Sequence, residues 1–251
     1  MFWPENPDLP DDGWIANVSV CFCVSMPARA AVILGLVMHH PILKSPQHSA
    51  LAVEPAGNPD GKGLNGLMLD WYRTEPRGVV AKPQRQVLAE FFTSMLVLSA
   101  QFKYKPAIGV DNYLYWVDDR WSLSLIAPYQ WSDTRRSGFA GTCMLQTDMT
   151  WTINPSEQLL GRGPVSDAVA RFFDAFAETL DTDLTLEEIL PFYVQRMPYW
   201  QRLHASGLSR SIRGAVALGG QASIRARDWQ LALPAASKTL FLAPSRAMNS
   251  A

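Results

Sequence analysis

At 251 residues, with 48% hydrophobic and 18% charged side chains, the chain is long enough to bury a sizeable core as one large domain or two small ones. Its formal net charge of -1 leaves no electrostatic footprint for nucleic acid and no acidic excess of a solvating tail, so no polyanion partner is indicated. Cys21, Cys23 and Cys143 are too few and too poorly spaced for a disulfide framework, and Cys-x-Cys lacks the second pair and the histidines of a closed zinc site; the reading is a soluble, cytoplasmic protein with no cofactor and no metal.

Residues 1–57 differ in texture from the rest, with an acidic, proline-rich start (PENPDLPDD) followed by IANVSVCFCVSM and ARAAVILGLVMHHPILKSP. The apolar run from Ala30 to Met38 is bracketed by Pro27, Arg29 and Pro41. It falls well short of the roughly 20 residues that cross a bilayer, so no stable membrane insertion is expected. Acids stand where a signal peptide would carry positive charge. The segment reads as a poorly structured extension, with Met26, Met38 and Met68 as alternative starts. His39 and His40 are neighbours and cannot share a face, His48 lies in a proline-flanked loop, and His204 stands alone on a C-terminal helix. All four read as structural.

In NPDGKGLNGL, Gly61 and Gly63 flank Lys62, but the four-residue spacing and the following hydroxyl of a phosphate loop are missing, so a turn is expected. LMLDWYRTEP reads as a short helix ending before Pro76. Lys82-Pro83 then opens the main helix, from Gln84 to about Phe102, with Val87, Leu88, Phe91, Phe92, Met95, Leu96 and Leu98 at three- and four-residue spacings. Its apolar band is wide enough to require cover on more than one side.

An aromatic meander follows. Asn112–Val117 alternates as a strand, Asp118-Asp119 turns the chain, and Trp121–Ile126 alternates again before Ala127-Pro128 ends the pairing. Tyr129–Gly138 is a loop, and Phe139–Gln146 and Thr150–Ile153 are further strands joined at Thr147-Asp148, with the Gln84 helix lying across the sheet.

The run YKPAIGVDNYLYW, LSLIAPYQW and FAGTCMLQTDMTWT resembles the bacterial domain of unknown function 2452 family. That family's pattern is a lysine-proline-x-x-glycine lead, a Tyr-x-Leu-Tyr strand, a Leu-Ser-Leu-Ile-x-Pro strand ending in Glu-Trp, and an Asp-x-Thr-Trp strand. Lys105, Pro106, Gly109, Tyr113, Leu114, Tyr115, Leu123 to Ile126, Pro128, Trp131, Asp148, Thr150 and Trp151 stand at those places, and the likeness runs from about Asn58 to Ile153. Where the family often has Glu-Trp-Gly, this chain has Gln130, Trp131 and Ser132, so an acid catalyst at that glutamate would have no counterpart here. The family's activity is uncharacterised, so the resemblance implies relatives without implying a reaction.

Pro164–Leu180 reads as an amphipathic helix. Thr185 and Glu188 form a capping box that predicts a second helix, kinked at Pro191. Pro198–Ser206 predicts another, continuing towards Leu218, and Gly219-Gly220 breaks it. QASIRARDWQLALP alternates as a hairpin or one bent strand, and residues 237–251 form a flexible tail. Arg210, Arg213, Arg225 and Arg227 read as solvated charge on helix and strand faces.

The expected architecture is α+β: an antiparallel aromatic β-meander packed by a long apolar helix and C-terminal helices, in one domain over residues 58–236. No paired acid, base or nucleophile stands at a convincing spacing. The functional expectation is therefore a non-catalytic binding or assembly module. It would present aromatic and Arg/Asp loop residues, Tyr113, Tyr115, Trp131, Asp133, Arg135, Arg136 and Asp148, to a protein partner or a second copy. It requires that the aromatics Tyr113, Tyr115, Trp116, Trp121, Trp131 and Trp151 stay exposed on one face. The alternative is an enzyme whose Lys105, Asp111, Asp133, Arg135 and Asp148 converge around the loops of the meander.

Overall fold

The described residues open on helix α1 (Leu64–Arg73) and turn through Thr74 towards helix α2 (Gln84–Leu98). These belong to a computed structural model that describes residues 63–195 and 197–241. The extension expected over residues 1–57 lies outside the described residues.

Helix α2 starts on Pro83, whose missing N–H costs nothing in a first turn, and from Val87 to Leu98 every side chain except Glu90 is buried. The sequence ends the helix at Leu98 rather than Phe102 for a physical reason. Gln101 leaves it to hydrogen-bond along the sheet edge, its N–H donating to Trp121 O (2.8 Å) and its carbonyl accepting from Leu123 N–H (3.0 Å). An edge strand that would otherwise offer unpaired backbone is thereby covered.

The sheet contains β1 (Asp111–Val117), β2 (Arg120–Ser124), β3 (Phe139–Leu145) and β4 (Trp151–Pro155), all antiparallel in the order β2-β1-β3-β4. Trp116 pairs with Trp121 across the first hairpin, whose Asp118 and Asp119 both take left-handed backbone angles (φ 52° and 54°). That is the geometry a two-residue turn needs, and aspartate tolerates it better than most residues. The register between β1 and β3 shifts between Leu114 and Tyr115, where a bulge kinks the strand. At Gly141 a Cβ would stand 2.5 Å from the Asn154 carbonyl oxygen, so β3 and β4 pair there only because the residue is glycine.

The β1–β3 connection carries a 3-10 turn (Pro128–Gln130) and helix α3 (Asp133–Arg136). After β4 come α4 (Glu157–Leu160), α5 (Pro164–Leu180), α6 (Tyr199–Leu218), α7 (Ala226–Gln230) and α8 (Lys238–Phe241). α2 lies between the sheet and these helices, packing on β4, α5, α6 and α8. Phe92 is the centre of that interface, its ring 5.3 to 5.7 Å from those of Phe172, Phe173, Phe176 and Phe241. Each such aromatic pair adds about 0.5–1.5 kcal/mol beyond burial.

Two C-terminal expectations are corrected. The capping bonds of Thr185 form, its N–H and Oγ1 donating to Glu188 Oε2 at 2.8 and 2.9 Å, but only a 3-10 turn (Glu187–Ile189) follows. Pro191 arrives before a helix can propagate. QASIRARDWQLALP is not a strand pair; it holds α7, with Trp229 fully buried. The alternation there arises because Arg225 and Arg227 reach back to Asp181 and Asp183 while Ala226 and Trp229 point inward. Of the expected tail, residues 237–241 are packed, with Leu240 and Phe241 of α8 buried, and residues 242–251 lie outside the described residues. Among the described residues, no helix is long and apolar enough to cross a membrane.

Candidate functional site

The segment from Leu125 to Gly138 folds over the outer face of the sheet. Gln130 caps its own turn, accepting the Ala127 N–H at 3.2 Å, and Arg136 staples the rest by donating from Nε to Pro128 O (3.3 Å) and from Nη2 to Trp131 O (3.2 Å). Arg136 also pairs with Asp133 at 3.2 Å. Arg135 lies over the Trp131 ring, 4.3 Å from its centroid, and Trp131 stands edge-on to Tyr115. The Tyr115 hydroxyl donates to Ile126 O (2.8 Å), and burial pushes its pKa up to about 12, so it remains a neutral donor.

Tyr115, Trp131 and Arg135 thus meet in one cleft of about 170 Å³, walled by Leu123 and Ile126. Asp133 and Arg136 share its α3 shoulder. Around the mouth, Ile126 and Leu125 are exposed to water at 41% and 56%, and Tyr129 at 78%. Tyr113 lies beside this cluster, its ring 6.3 Å from Phe139, and Asp148 is elsewhere.

The expected aromatic face is corrected in one respect. Tyr115, Trp121 and Trp151 are buried, and Tyr113, Trp116 and Trp131 are half-buried. The cause is cover on both faces of the sheet: the loop encloses Tyr115, Arg171 of α5 lies over Trp116, and α2 packs on β4 at Trp151. What the loop leaves exposed is Leu125, Ile126 and Tyr129.

The polar residues suggested for catalysis do not converge. Asp148 is locked in the β3–β4 turn, where Lys82 Nζ donates to its Oδ2 (2.8 Å) and to Glu90 Oε2 (2.5 Å), and Thr150 donates to its Oδ1 from both N (3.2 Å) and Oγ1 (2.7 Å). Burial pushes this carboxyl up, but the Lys82 and Thr150 hydrogen bonds and the Lys82 charge outweigh it and hold it below the ordinary value. Asp111 pairs with Met144 at the exposed start of β1, and Lys105 sits beside Asp70 of α1. Among the described residues, no three His, Cys, Asp or Glu side chains stand together as a metal site. Cys143 is a buried free thiol whose pKa burial raises.

A second cleft, of about 200 Å³, opens where α1, the Lys105–Gly109 segment and α6 meet. Its deepest lining residues are Thr74, Leu145, Met149 and His204, each no more than 2% exposed. Arg73, Lys105 and Ile108 form its rim. Among the described residues, neither ring nitrogen of His204 has a hydrogen-bond partner, and the ring meets Trp151 edge-on at 6.5 Å. Burial first, and the Lys105 charge second, push its pKa down to about 4, so the imidazole is neutral at physiological pH. On the same helix, Gln201 donates to Leu98 O and Ala100 O, and Ser206 and Ser209 bond the preceding turn. A lone histidine gave no signal in the sequence. Its position on the buried stripe of α6, which only burial reveals, is the clue.

The class these features define is an α+β protein whose four-stranded antiparallel sheet carries one small cleft beside Trp131 and another beside His204. Family models, curated proteins and solved structures contain no match to the chain.

Proposed function

We propose that the protein is a non-catalytic binding module that takes a partner protein on the Leu125–Arg136 face. The observation that carries this reading is Arg135, which has no carboxylate partner among the described residues and is held on Trp131 at the mouth of a cleft. Beside it, Leu125, Ile126 and Tyr129 place contiguous apolar surface in water. An aromatic platform with a preorganised guanidinium suits a segment that pairs an apolar side chain with a carboxylate, because Arg and aromatic anchors dominate interface energetics. Asp133 engages Arg136 rather than Arg135, which leaves that charge for the partner. The reading carries the likeness to domain of unknown function 2452 as kinship with a bacterial family, and places the protein in the cytoplasm because its cysteine usage suits a reducing compartment.

The test is selection from a displayed peptide library against the full chain, counter-selected on a Leu125→Asp, Arg135→Ala variant. Enrichment of segments joining Leu or Phe to Asp or Glu, with binding lost in the variant, is expected. Peptides that bind both proteins equally, or dimerisation of the free chain through this face in sedimentation, would overturn it.

A further inference from the structure

We propose that the cleft between α1, the Lys105–Gly109 segment and α6 binds a short aliphatic hydroxy-acid, with its carboxylate between Lys105 and Arg73 and its hydroxyl on His204. Three independent features point there. The first is the uncompensated imidazole. A buried polar group without a partner costs about 1–3 kcal/mol, and native proteins rarely leave one, yet both nitrogens of His204 are unpaired among the described residues, in a side chain that lines an open cleft. A neutral ring offers one donor and one acceptor, which matches a hydroxyl.

Charge at the rim is the second. Arg73 Nη1 and Lys105 Nζ stand 3.6 and 3.7 Å from the same oxygen of Asp70, beyond good hydrogen-bond length. The other carboxylate oxygen of Asp70 accepts from the Tyr199 hydroxyl at 2.9 Å. Nearby, Arg210 pairs with Glu75. Among the described residues the mouth thus sets two cations, Arg73 and Lys105, about one buried carboxylate, and both cations are exposed enough to turn towards an incoming anion. Lys105 is itself poised, 5.1 Å above the Trp200 ring.

Size and polarity of the walls are the third. Pro106, Leu145 and Met149 give an apolar lining between the cationic rim and His204. About 200 Å³ is below the roughly 300–1,000 Å³ of drug-sized ligand sites, so the ligand is small. The backbone keeps the cleft in place: Arg77 N–H donates to Thr147 O (2.9 Å), Gly109 N–H donates to Leu145 O (2.9 Å), and Gly207 lets α6 approach Thr74 closely. This site is separate from the Leu125–Arg136 face and stands or falls without it.

The experiment titrates the full chain with 4-hydroxybutyrate, butyrate and 1,4-butanediol, reading affinity by calorimetry and the ring nitrogens of His204 by long-range proton–nitrogen NMR. 4-Hydroxybutyrate is expected to bind most tightly and to move the His204 nitrogen signals. Butyrate, lacking the hydroxyl, and butanediol, lacking the charge, should each bind about tenfold more weakly. Lys105→Gln, at a partly exposed position that should fold normally, should weaken 4-hydroxybutyrate by a similar factor while leaving butanediol unaffected. His204→Leu assigns the signals and should remove the advantage of the hydroxyl. Unmoved His204 signals with all three probes would mean that the imidazole is satisfied by water alone and would overturn the proposal. Equal binding of diol and acid, or wild-type affinity in Lys105→Gln, would overturn it as well.

Discussion

Replacing Lys82 by methionine keeps most of the side chain's length and removes its charge from a place where two carboxylates depend on it. The Lys82 side chain is 3% exposed, and its ammonium is the cation in contact with Asp148, whose own side chain is 8% exposed, at 2.8 Å. Removing one partner of a buried ion pair leaves a buried charge uncompensated, at a cost of about 3–5 kcal/mol. Thr150 still donates twice to Asp148 Oδ1, which favours the lower end, about 3 kcal/mol. For a chain of this size that is a loss of about 6–12 °C in Tm.

The pH dependence gives the loss its signature. In the native protein the Asp148 pKa is depressed, so its contribution is complete above the unfolded carboxylate value and is lost as pH falls through the lower folded value. In Lys82→Met the protonated carboxyl no longer needs a cation. The variant's deficit should therefore be largest at pH 7 and shrink as pH approaches 4. Urea denaturation followed by tryptophan fluorescence at pH 7, 5.5 and 4 measures both. A deficit under about 1 kcal/mol, or one that does not change with pH, would refute the claim that this network fastens α2 to the β3–β4 turn.

Three further outcomes are expected. His204 titrates at about 4 when folded against 6.5 when free, so below 6.5 the unfolded chain takes up a proton that the folded one refuses. Stability should fall by about 3 kcal/mol between pH 6.5 and 4, and His204→Leu should remove that slope in urea titrations. At Gly207 a Cβ would stand 2.8 Å from Thr74 O and 3.0 Å from Met149 Cγ, so Gly207→Ala should cost about 1–3 kcal/mol in urea denaturation by forcing α6 away from the second cleft. Leu125→Asp and Arg135→Ala touch exposed side chains, so each should leave the urea midpoint within about 0.5 kcal/mol of wild type while abolishing peptide binding.

Much of the fold was legible because local chemistry and tertiary packing agree. Period-two alternation with Asp118-Asp119 between placed β1 and β2, the band on α2 announced its double cover, and Pro164–Leu180 is one amphipathic helix in both readings. The misreadings came where local signals were satisfied without propagating: the Thr185–Glu188 cap formed but Pro191 stopped the helix, and the Arg225–Arg227 alternation served ion pairs to Asp181 and Asp183, just past the end of α5, rather than a strand.

The sites divide in the same way. Trp131, Asp133, Arg135 and Arg136 could be singled out from the sequence because they crowd into one short loop, and Tyr115 joins them through β1. Asp148 could not be separated from them, since its partner Lys82 is 66 residues away. His204 and Lys105 share a cleft only because α6 packs back across Thr74 and Met149. By itself the sequence determined which segments bury apolar surface, because periodicity records burial face by face. Which polar groups meet was decided by the tertiary structure alone, because the pairings that desolvate a lysine or strand an imidazole join residues with no local relation to one another.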